Sequence, residues 1–304
     1  MAVPMNSTSF RAIVEPILNQ EFDGIYDQRA DEWKQVFREF TGIPRNYHEE
    51  PVLYGFGAAP ELPDGMPVTY SSGGTLFIQR YVYKVYGLAF ALTKTLVEDG
   101  DHIRIGQTYS RHLAQSLIET KETLGANILN RSFNSSYAGG DGVSLVNSAH
   151  PIASGTFSNQ LSTAANLSQT SLEQMLIQIR NAVDNNGKRI RLTPKKLVVG
   201  PSNTFQAEVL LKSVLRAGTA NNDINPVKSM GLLDEGQANL SRITSTTAWW
   251  VQTDAPEGLK LAKRRGLEKS LEGDFDTDAM KYKSTERYAF GWTDPRGLFG
   301  TPGL

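Results

Sequence analysis

The sequence predicts an α+β protein, and three features of the chain indicate this fold class. Residues 280–293 alternate without interruption between two side-chain directions, which is typical of a strand much longer than the usual length of about five or six residues. Apolar residues recur at helical spacing through 101–133 and predict one long helix. Between 166 and 255, predicted helices and strands follow one another in turn.

The N-terminal segment, 1–47, predicts two amphipathic helical pieces before any strand. The first follows Ser9 and continues to Tyr26, with Pro16 expected near its first turn or at a bend. The second spans 33–40, and Asp31 is its expected N-cap. An arm of this kind needs a surface to lie against, and a neighbouring subunit is one candidate.

Residues 49–75 predict a protruding hairpin loop, because proline and glycine interrupt short strand-like fragments such as Met66 to Tyr70. From Thr75 to Thr95 the chain is apolar and aromatic and is interpreted as strand. Within it, Val85 to Leu92 is too short to cross a membrane and is interpreted as a buried strand. Four acidic residues of the loop are hypothesised to meet basic residues of a neighbouring subunit: Glu49, Glu50, Glu61 and Asp64.

A polar stretch at 134–169, rich in Ser, Thr, Asn and Gly, marks a boundary within the chain. The long helix precedes this boundary, and Asp101 is its expected N-cap. The elements expected after it are a helix opening at Thr170 with capping-box spacing, a strand at 196–200, a helix at 202–215 and a strand at 248–252.

Composition and charge argue against several classes of protein. The chain has 304 residues, of which 39% are hydrophobic, so it can bury a sizeable core in about two domains. Thirty-one Lys and Arg against 32 Asp and Glu leave a formal charge of −1, so there is no global basic field for nucleic acid or an anionic membrane. The absence of cysteine excludes disulfides and thiolate chemistry. No signal-peptide pattern and no apolar run of roughly 20 residues occurs, and no membrane partner is expected.

No motif predicts an enzyme, a cofactor or a metal site. Asp274, Asp276 and Asp278 resemble the start of a calcium loop, but Ala279 stands where that loop needs glycine. The four histidines lack the spacing of a zinc protease, and no phosphate-binding loop or nucleophile elbow occurs. Two basic clusters remain, either as solvated faces or as local contacts with DNA or an acidic partner: Lys188, Arg189 and Arg191, and Lys263, Arg264 and Arg265.

Two local stretches and the order of elements over nearly the whole chain resemble the major capsid proteins of tailed bacteriophages. These proteins have the Hong Kong 97-type fold, and the resemblance is nearest to the Mu-like head proteins. The first stretch runs from Gly139-Gly140-Asp141-Gly142-Val143 to Ser148-Ala149-His150-Pro151. The second is Tyr288-Ala289-Phe290-Gly291-Trp292-Thr293-Asp294-Pro295-Arg296-Gly297.

The resemblance implies five parts of the chain. They are an N-terminal arm at 1–47, an extended loop at 48–84, a peripheral domain at 85–165 with a spine helix at 101–133, an axial domain at 166–255 and peripheral return strands at 256–304. In this family, axial domains form hexamers and pentamers, and the loop and arm overlap adjacent subunits.

The resemblance also implies a structural protein of the virion capsid and not an enzyme. Its copies would assemble in the cytoplasm of a host bacterium into an icosahedral shell around double-stranded DNA, which is held without sequence specificity. The other expected partners are a scaffold, a portal and decoration proteins.

The chain departs from some relatives of this family. Those that crosslink covalently use a loop lysine and an asparagine of the neighbour's peripheral domain, but this chain has no Lys between Lys34 and Lys84 and no Asn after Asn239. Autocatalytic crosslinking is therefore not expected. A long, charged N-terminal extension that serves as a built-in scaffold is also missing, which predicts a separate scaffold or decoration protein.

Two other interpretations remain open at this point. An encapsulin-like nanocompartment shares the fold but encloses a protein cargo. A soluble hydrolase or carbohydrate-binding protein would instead form a small oligomer with a deep polar pocket.

Overall fold

The computed structural model describes residues 7–28, 31–41, 45–93, 95–96, 102–216, 223–274 and 279–304. The predictions made for Asp101, Asp276 and Asp278 lie outside these residues. The α-helices with described bounds are α1 Ser7–Tyr26, α2 His102–Asn130, α3 Gln169–Arg180, α4 Thr204–Lys212 and α5 Pro226–Ser229. Short 3-10 helices span Glu32–Gln35, Pro201–Asn203 and Pro295–Gly297.

The strands form two four-stranded sheets and two ribbons. The strand bounds are β1 Arg38–Thr41, β2 Tyr47–Tyr54, β3 Gly74–Val82, β4 Lys84–Leu92, β5 His150–Ile152, β6 Gly155–Phe157, β7 Pro194–Val199, β8 Gln237–Asn239, β9 Trp249–Thr253, β10 Leu259–Gly273, β11 Met280–Trp292 and β12 Leu298–Thr301. In sheet 1 the order is β1-β10-β11-β4, and in sheet 2 it is β12-β9-β7-β8. The two ribbons are the pair β2 and β3 and the pair β5 and β6.

The predicted long strand is confirmed as β11, which lies in the interior of sheet 1 between β10 and β4. Its even-numbered side chains face α2, and Tyr282, Glu286 and Tyr288 are buried there. The strand can be this long because β10 pairs with it along almost its whole length. The predicted long helix is confirmed as α2, which begins and ends within a few residues of the expected bounds.

The prediction that Val85 to Leu92 is a buried strand is half wrong. The segment is the strand β4, but it lies at the edge of sheet 1 and pairs only with β11 among the described residues. Val85 is 59% exposed and Leu88 is 52% exposed. One side of β4, with Tyr86, Phe90 and Leu92, packs against the core, whereas Val85 and Leu88 form an apolar surface that the described part of the chain leaves exposed.

Sheet 2 is covered on both faces, which explains the adjacent tryptophans of β9. Trp249 faces the cluster that contains α3, whereas Trp250 faces the C-terminal half of α2, and both are fully buried. The helix α3 starts with a capping box in which Ser168 is the N-cap and Ser171 returns the bond. The last strand, β12, pairs with β9, so this part of the segment 256–304 lies in sheet 2.

The N-terminal arm lies against its own chain. Three residues of α1, Val14, Leu18 and Phe22, are buried in a cluster with α2 and sheet 1. Lys121 of α2 donates to the Tyr26 hydroxyl at 2.6 Å and pairs with Glu286 at 2.5 Å. This packing supplies the surface that the amphipathic pattern required.

The second amphipathic piece was predicted to be a helix, and this prediction is wrong. The chain forms only a short 3-10 helix at Glu32–Gln35 and then enters β1. Asp31 makes no side-chain capping bond. Instead the buried carboxylate of Glu122 accepts from the backbone N–H groups of Glu32 and Trp33 at 2.8 and 3.1 Å.

Candidate subunit interface

The β2–β3 ribbon, made of Tyr47–Tyr54 and Gly74–Val82, carries the loop 55–73. Tyr47 pairs with Val82 next to sheet 1, and Tyr54 pairs with Gly74 at the far end. Seven residue steps at about 3.3 Å each separate the two ends of β2 by roughly 23 Å. The ribbon therefore has a root at the sheet and a distant loop.

A polar network centred on Glu50 fixes the root of the ribbon. Lys260 of β10 donates to Glu50 at 2.7 Å, the Thr293 hydroxyl also donates to Glu50, and His48 Nε2 lies 3.2 Å from the other carboxylate oxygen. Tyr81 of β3 is hydrogen-bonded to the Thr293 hydroxyl at 2.6 Å. Strands β2 and β3 are thereby both joined to sheet 1.

The pKa of Glu50 reflects this network. Burial alone would raise the pKa of the carboxyl group, but the hydrogen bonds from Lys260 and Thr293 and the charge of Lys260 outweigh it and hold the pKa below its usual range. The group is therefore a carboxylate at neutral pH, engaged within its own chain.

The middle and the far end of the ribbon are held by different contacts. Glu49 accepts from its cross-strand partner Arg80 at 2.8 Å, on an exposed face. At the far end, Asn185 donates to the Leu53 carbonyl at 3.0 Å and Asn186 donates to the Gly55 carbonyl at 2.8 Å. The ribbon is therefore supported up to the point where the loop begins.

The loop 55–73 contains no strand and exposes its apolar side chains. Its tip is a turn in which the Met66 N–H donates to the Pro63 carbonyl at 3.1 Å and Gly65 adopts a φ of +78°, which glycine tolerates without strain. The two arms of the loop enclose an open cavity of about 670 Å³ with a mainly apolar lining. The large apolar side chains at and within the loop are 55–98% exposed: Leu53, Phe56, Leu62, Met66, Val68 and Tyr70.

The two stretches on which the family resemblance depends meet in a buried junction beside the ribbon. His150 Nδ1 lies 2.6 Å from Asp141, and His150 Nε2 lies 3.1 Å from the side-chain oxygen of Asn159. The amide nitrogen of Asn159 donates to three carbonyls, including those of Pro295 and Leu298 at 3.0 and 2.9 Å. Both ring nitrogens of His150 are thus engaged in structure, and neither is available to a substrate.

Arg296 extends this junction to the ribbon. Its Nε donates to the Val183 carbonyl at 2.7 Å and its Nη2 donates to Asn185 at 2.8 Å. Because Asn185 also holds Leu53, a chain of contacts connects the C-terminal stretch to the base of the loop. The junction therefore orients the loop.

The structure places the four predicted acidic residues in two different settings. Glu49 and Glu50 are engaged with residues of their own chain, as described above. Glu61 and Asp64 lie on the loop, are exposed, and form no ion pair with any described residue. This second pair has no partner within the described part of the chain, whereas Glu49 is exposed but already paired with Arg80.

The predicted basic residues also divide into two groups. Lys188, Arg189 and Arg191 are exposed next to the turn 184–187, and none of them forms an ion pair within the described part of the chain. In the β10 cluster, Lys263 pairs with Glu39 at 3.0 Å and Arg265 pairs with Glu268 at 3.1 Å. Arg264 has no ionic partner among the described residues, and its Nε is buried without a hydrogen bond.

Sequence reasoning missed the residues that hold the ribbon. Periodicity in the sequence extends the helix that opens at Thr170 to Asn185-Asn186-Gly187, but α3 ends at Arg180, and these residues lie in a turn in which Gly187 has a left-handed φ of +79°. Asp141 and His150 are close in the chain, whereas Arg296 is distant from both, so no local pattern predicts that it lies beside them.

Within the described residues, no group of histidine and acidic side chains could hold a metal ion. The described helices also include none with the length and apolar character needed to span a bilayer.

A projecting ribbon with an exposed apolar loop, on a body that is otherwise well packed, defines a subunit of a larger assembly. The sequence model of the family described as phage capsid protein matches residues 79–300, and the chain belongs to this family. No curated protein matches the sequence.

Solved capsid structures share the fold at low sequence identity. The capsid structure of the cyanophage P-SCSP1u matches with a TM-score of 0.60 and 11% identity, covering 91% of this chain and 89% of the other. Microbacterium phage Oxtober96 matches with a TM-score of 0.50 and 10% identity over 98% and 99% of the two chains. The capsid of an empty GTA particle gives 0.50 and 11% identity over 90% of each. The protein is a structural major capsid protein with the Hong Kong 97-type α+β fold.

Proposed function

We propose that copies of this chain associate through the loop 55–73 into hexamers and pentamers, which close into an icosahedral phage head around double-stranded DNA. The observation that carries this proposal is the exposed apolar surface of the loop. A soluble monomer rarely presents so many large apolar side chains on one projection, and such a surface indicates an interface with another protein.

The energetic gain from covering this surface is substantial. Full burial of a large apolar side chain is worth about 1.5 to 3 kcal/mol, so six side chains that are more than half exposed offer on the order of 5 to 10 kcal/mol per subunit. Part of this gain is lost to ordering the loop and to the loss of overall motion on association. In a closed ring each subunit both gives and receives a loop, so several moderate contacts act together.

The five parts expected from the resemblance enter this proposal as follows. Strands β7, β8 and β9 of sheet 2 with α3, α4 and α5, all within 166–255, would form the axial domain around the centre of each ring, and β12 joins this sheet from the segment 256–304. Sheet 1 and α2 would form the peripheral domain, and the ribbon would be the extended loop. The exposed apolar residues Phe205 and Val209 of α4, 84% and 44% exposed, support the axial assignment because they also need covering.

The proposal includes partners beyond the chain itself. Lys188, Arg189 and Arg191 are exposed and have no carboxylate partner among the described residues, which supports a local contact with packaged DNA or with an acidic scaffold. Portal and decoration proteins complete the set, assembly takes place in the cytoplasm of the host bacterium, and the chain acts without catalysis.

Electron microscopy of the purified protein, with light scattering for mass, tests the proposal. Closed shells, or rings of five and six subunits, are the expected result, either alone or after addition of a scaffold protein. A discrete small oligomer that never assembles would contradict it. Nuclease-protected DNA inside native particles would support a phage head, whereas a protein cargo without DNA would indicate a nanocompartment.

A further inference from the structure

We infer that Tyr83, Arg264 and Arg287 form a receptor site for a carboxylate of a second copy of this chain, and this inference rests on the proposed function. The first evidence is a group of unmet donors. The Tyr83 hydroxyl, Arg264 Nε and Arg287 Nε are all buried, and none has a hydrogen-bond partner among the described residues. Buried polar atoms in a native protein normally have partners, so three in one place indicate a missing ligand.

The three side chains lie together at the root of the ribbon. Tyr83 directly follows β3, and its N–H donates to the Asn46 carbonyl at 3.2 Å. The side-chain oxygen of the same Asn46 accepts from Arg287 Nη2 at 3.1 Å. Arg264 lies where the pairing of β10 with β11 shifts register, next to Arg265, which pairs with Arg287. Burial raises the pKa of Tyr83, and the charges of Arg264 and Arg287 oppose this rise, which places both guanidinium groups near the phenol.

The chemistry of the site selects an anion with oxygen acceptors. The two guanidinium groups offer donors only, the Tyr83 phenol can donate as well as accept, and a carboxylate can accept from a guanidinium through both oxygens. The two neighbouring cations are occupied, since Lys263 pairs with Glu39 and Arg265 with Glu268. The Glu50 carboxylate also acts on the Tyr83 phenol, but it is engaged by Lys260 and Thr293. Arg264 and Arg287 form no ion pair with a described residue and keep their positive charge for a partner.

The acids that fit this site are Glu61 and Asp64 of the loop. They are exposed and unpaired within the described residues, and they stand beside Leu62 and Met66, which are 55% and 60% exposed. Association removes water from an ion pair that is flanked by apolar contacts, and the attraction between the two charges is stronger at the lower dielectric constant.

In the folded chain the loop does not pair with the receptor site. Glu61 and Asp64 are exposed and form no ion pair with any described residue. Tyr83 lies at the root of the ribbon, whereas the loop begins at the opposite end of β2, roughly 23 Å away. The contact must therefore join two molecules, with the acidic loop of one on the arginines of the next. Because donor and receptor are different surfaces, the contact is head-to-tail, and such contacts close into rings.

Charge reversal on each side tests the inference. In the loop variant E61K/D64K and the receptor variant R264E/R287E, the yield of rings and shells in electron microscopy is expected to fall at least tenfold relative to the natural chain. The control E173K/E272K makes the same change in net charge as the loop variant away from both surfaces and is expected to assemble normally. Thermal melting checks that each variant is folded.

Restoration of complementarity is the decisive arm of the experiment. The chain with all four reversals is expected to assemble again, since its basic loop fits its acidic receptor. A mixture of the loop variant and the receptor variant is expected to form six-membered rings, in which the two alternate and every contact is complementary. The same mixture should not form five-membered rings, because an odd ring must contain one like-charge contact.

The outcomes distinguish this inference from the proposed function. If the natural chain forms shells and the loop variant does so equally well, the inference is wrong and the proposed function stands. If the natural chain never assembles, with or without a scaffold, the proposed function fails as well. The loop residues are exposed, so the loop variant decides the question even if the receptor variant does not fold.

Discussion

Replacement of Glu50 by glutamine should lower the thermal stability of the monomer, whereas the same change at the adjacent Glu49 should have little effect. Both carboxylates have a basic partner within the chain, but Glu50 is only 18% exposed in its side chain and its partner Lys260 only 8%. Glu49 and its partner Arg80 are 35% and 58% exposed. Solvent screens the exposed Glu49–Arg80 pair, so its loss should cost little stability. The Glu50–Lys260 pair is more buried and is screened less.

The expected magnitude follows from the contacts of Glu50. Loss of one partner from a buried charge pair costs about 3 to 5 kcal/mol, and Lys260 keeps a contact with Glu257, so we expect about 2 to 3 kcal/mol. At about 2 to 4 °C per kcal/mol for a chain of this size class, the melting temperature should fall by roughly 4 to 12 °C. For Glu49→Gln the cost should stay below about 0.5 kcal/mol.

Circular dichroism melting, at a concentration where light scattering detects only monomer, measures both variants. The pH dependence provides a second check. Because the folded pKa of Glu50 lies below its ordinary value of 4.5, its stabilisation is complete above that value and is lost as the pH falls through the folded pKa. The difference between Glu50→Gln and the natural chain should therefore close in acid. Equal destabilisation by the two variants at neutral pH would refute the reasoning.

Three further predictions concern the loop, the junction and α2. Phe56→Ser with Tyr70→Ser should abolish shells in electron microscopy and leave the melting temperature of the monomer nearly unchanged, because both side chains are exposed, while the control Phe56→Leu with Tyr70→Phe, which keeps the loop apolar, should assemble; normal shells from the serine pair would count against the interface. Asn159→Ala leaves three carbonyls without their donor, two of them in the C-terminal stretch, and should cost about 2 to 4 kcal/mol in urea unfolding; a cost under about 0.5 kcal/mol would show that the junction is not structural. Burial raises the pKa of Glu122, so its contribution to stability should decline as the pH rises above 4.5, and Glu122→Gln should flatten that part of the pH–stability curve; an unchanged curve would exclude Glu122 as the source.

Periodicity predicted the elements whose two sides differ most clearly. Strand β11 alternates between a buried face toward α2 and a more polar face, so its pattern is visible in the sequence. Its partner β10 is as long but was not predicted as a strand from its residues, since Lys263, Arg264 and Arg265 interrupt the alternation where the register shifts. Bulges move side chains to the other face and so hide a strand from period-two analysis.

The apolar composition of some segments indicates that their side chains are buried, but it does not indicate whether this chain or another subunit buries them. The stretch Val85 to Leu92 has the composition of an interior strand, yet it forms an edge whose exposed side chains await another surface. The same is true of Met66 to Tyr70, which has strand-like alternation but no strand partner among the described residues. In a chain that assembles, the hydrophobic pattern of the sequence reflects the surroundings of each side chain in the assembly and not in the monomer.

The network around Glu50 could not be predicted because its members come from four distant places in the chain. His48, Tyr81, Lys260 and Thr293 meet only when the ribbon crosses sheet 1. No local pattern marks such residues, and only the acidic character of Glu50 made it a candidate. The hypothesis that Glu50 contacts a neighbouring subunit does not include its contacts with Lys260 and Thr293, which attach the root of the ribbon to sheet 1 of the same chain.

The length of the ribbon determines how far a small rotation at its root moves the loop. The network at Glu50 attaches the ribbon to sheet 1, and the loop begins roughly 23 Å from this network. The far end of the ribbon is also held, by Asn185 and Asn186, so a tilt of about 10° at the root, which would displace the start of the loop by about 4 Å, requires these two side chains to move with the ribbon or to release it. The position of the loop is therefore set jointly by sheet 1 and by the turn 184–187, and a movement of one relative to the other would change the angle at which the loop meets another subunit.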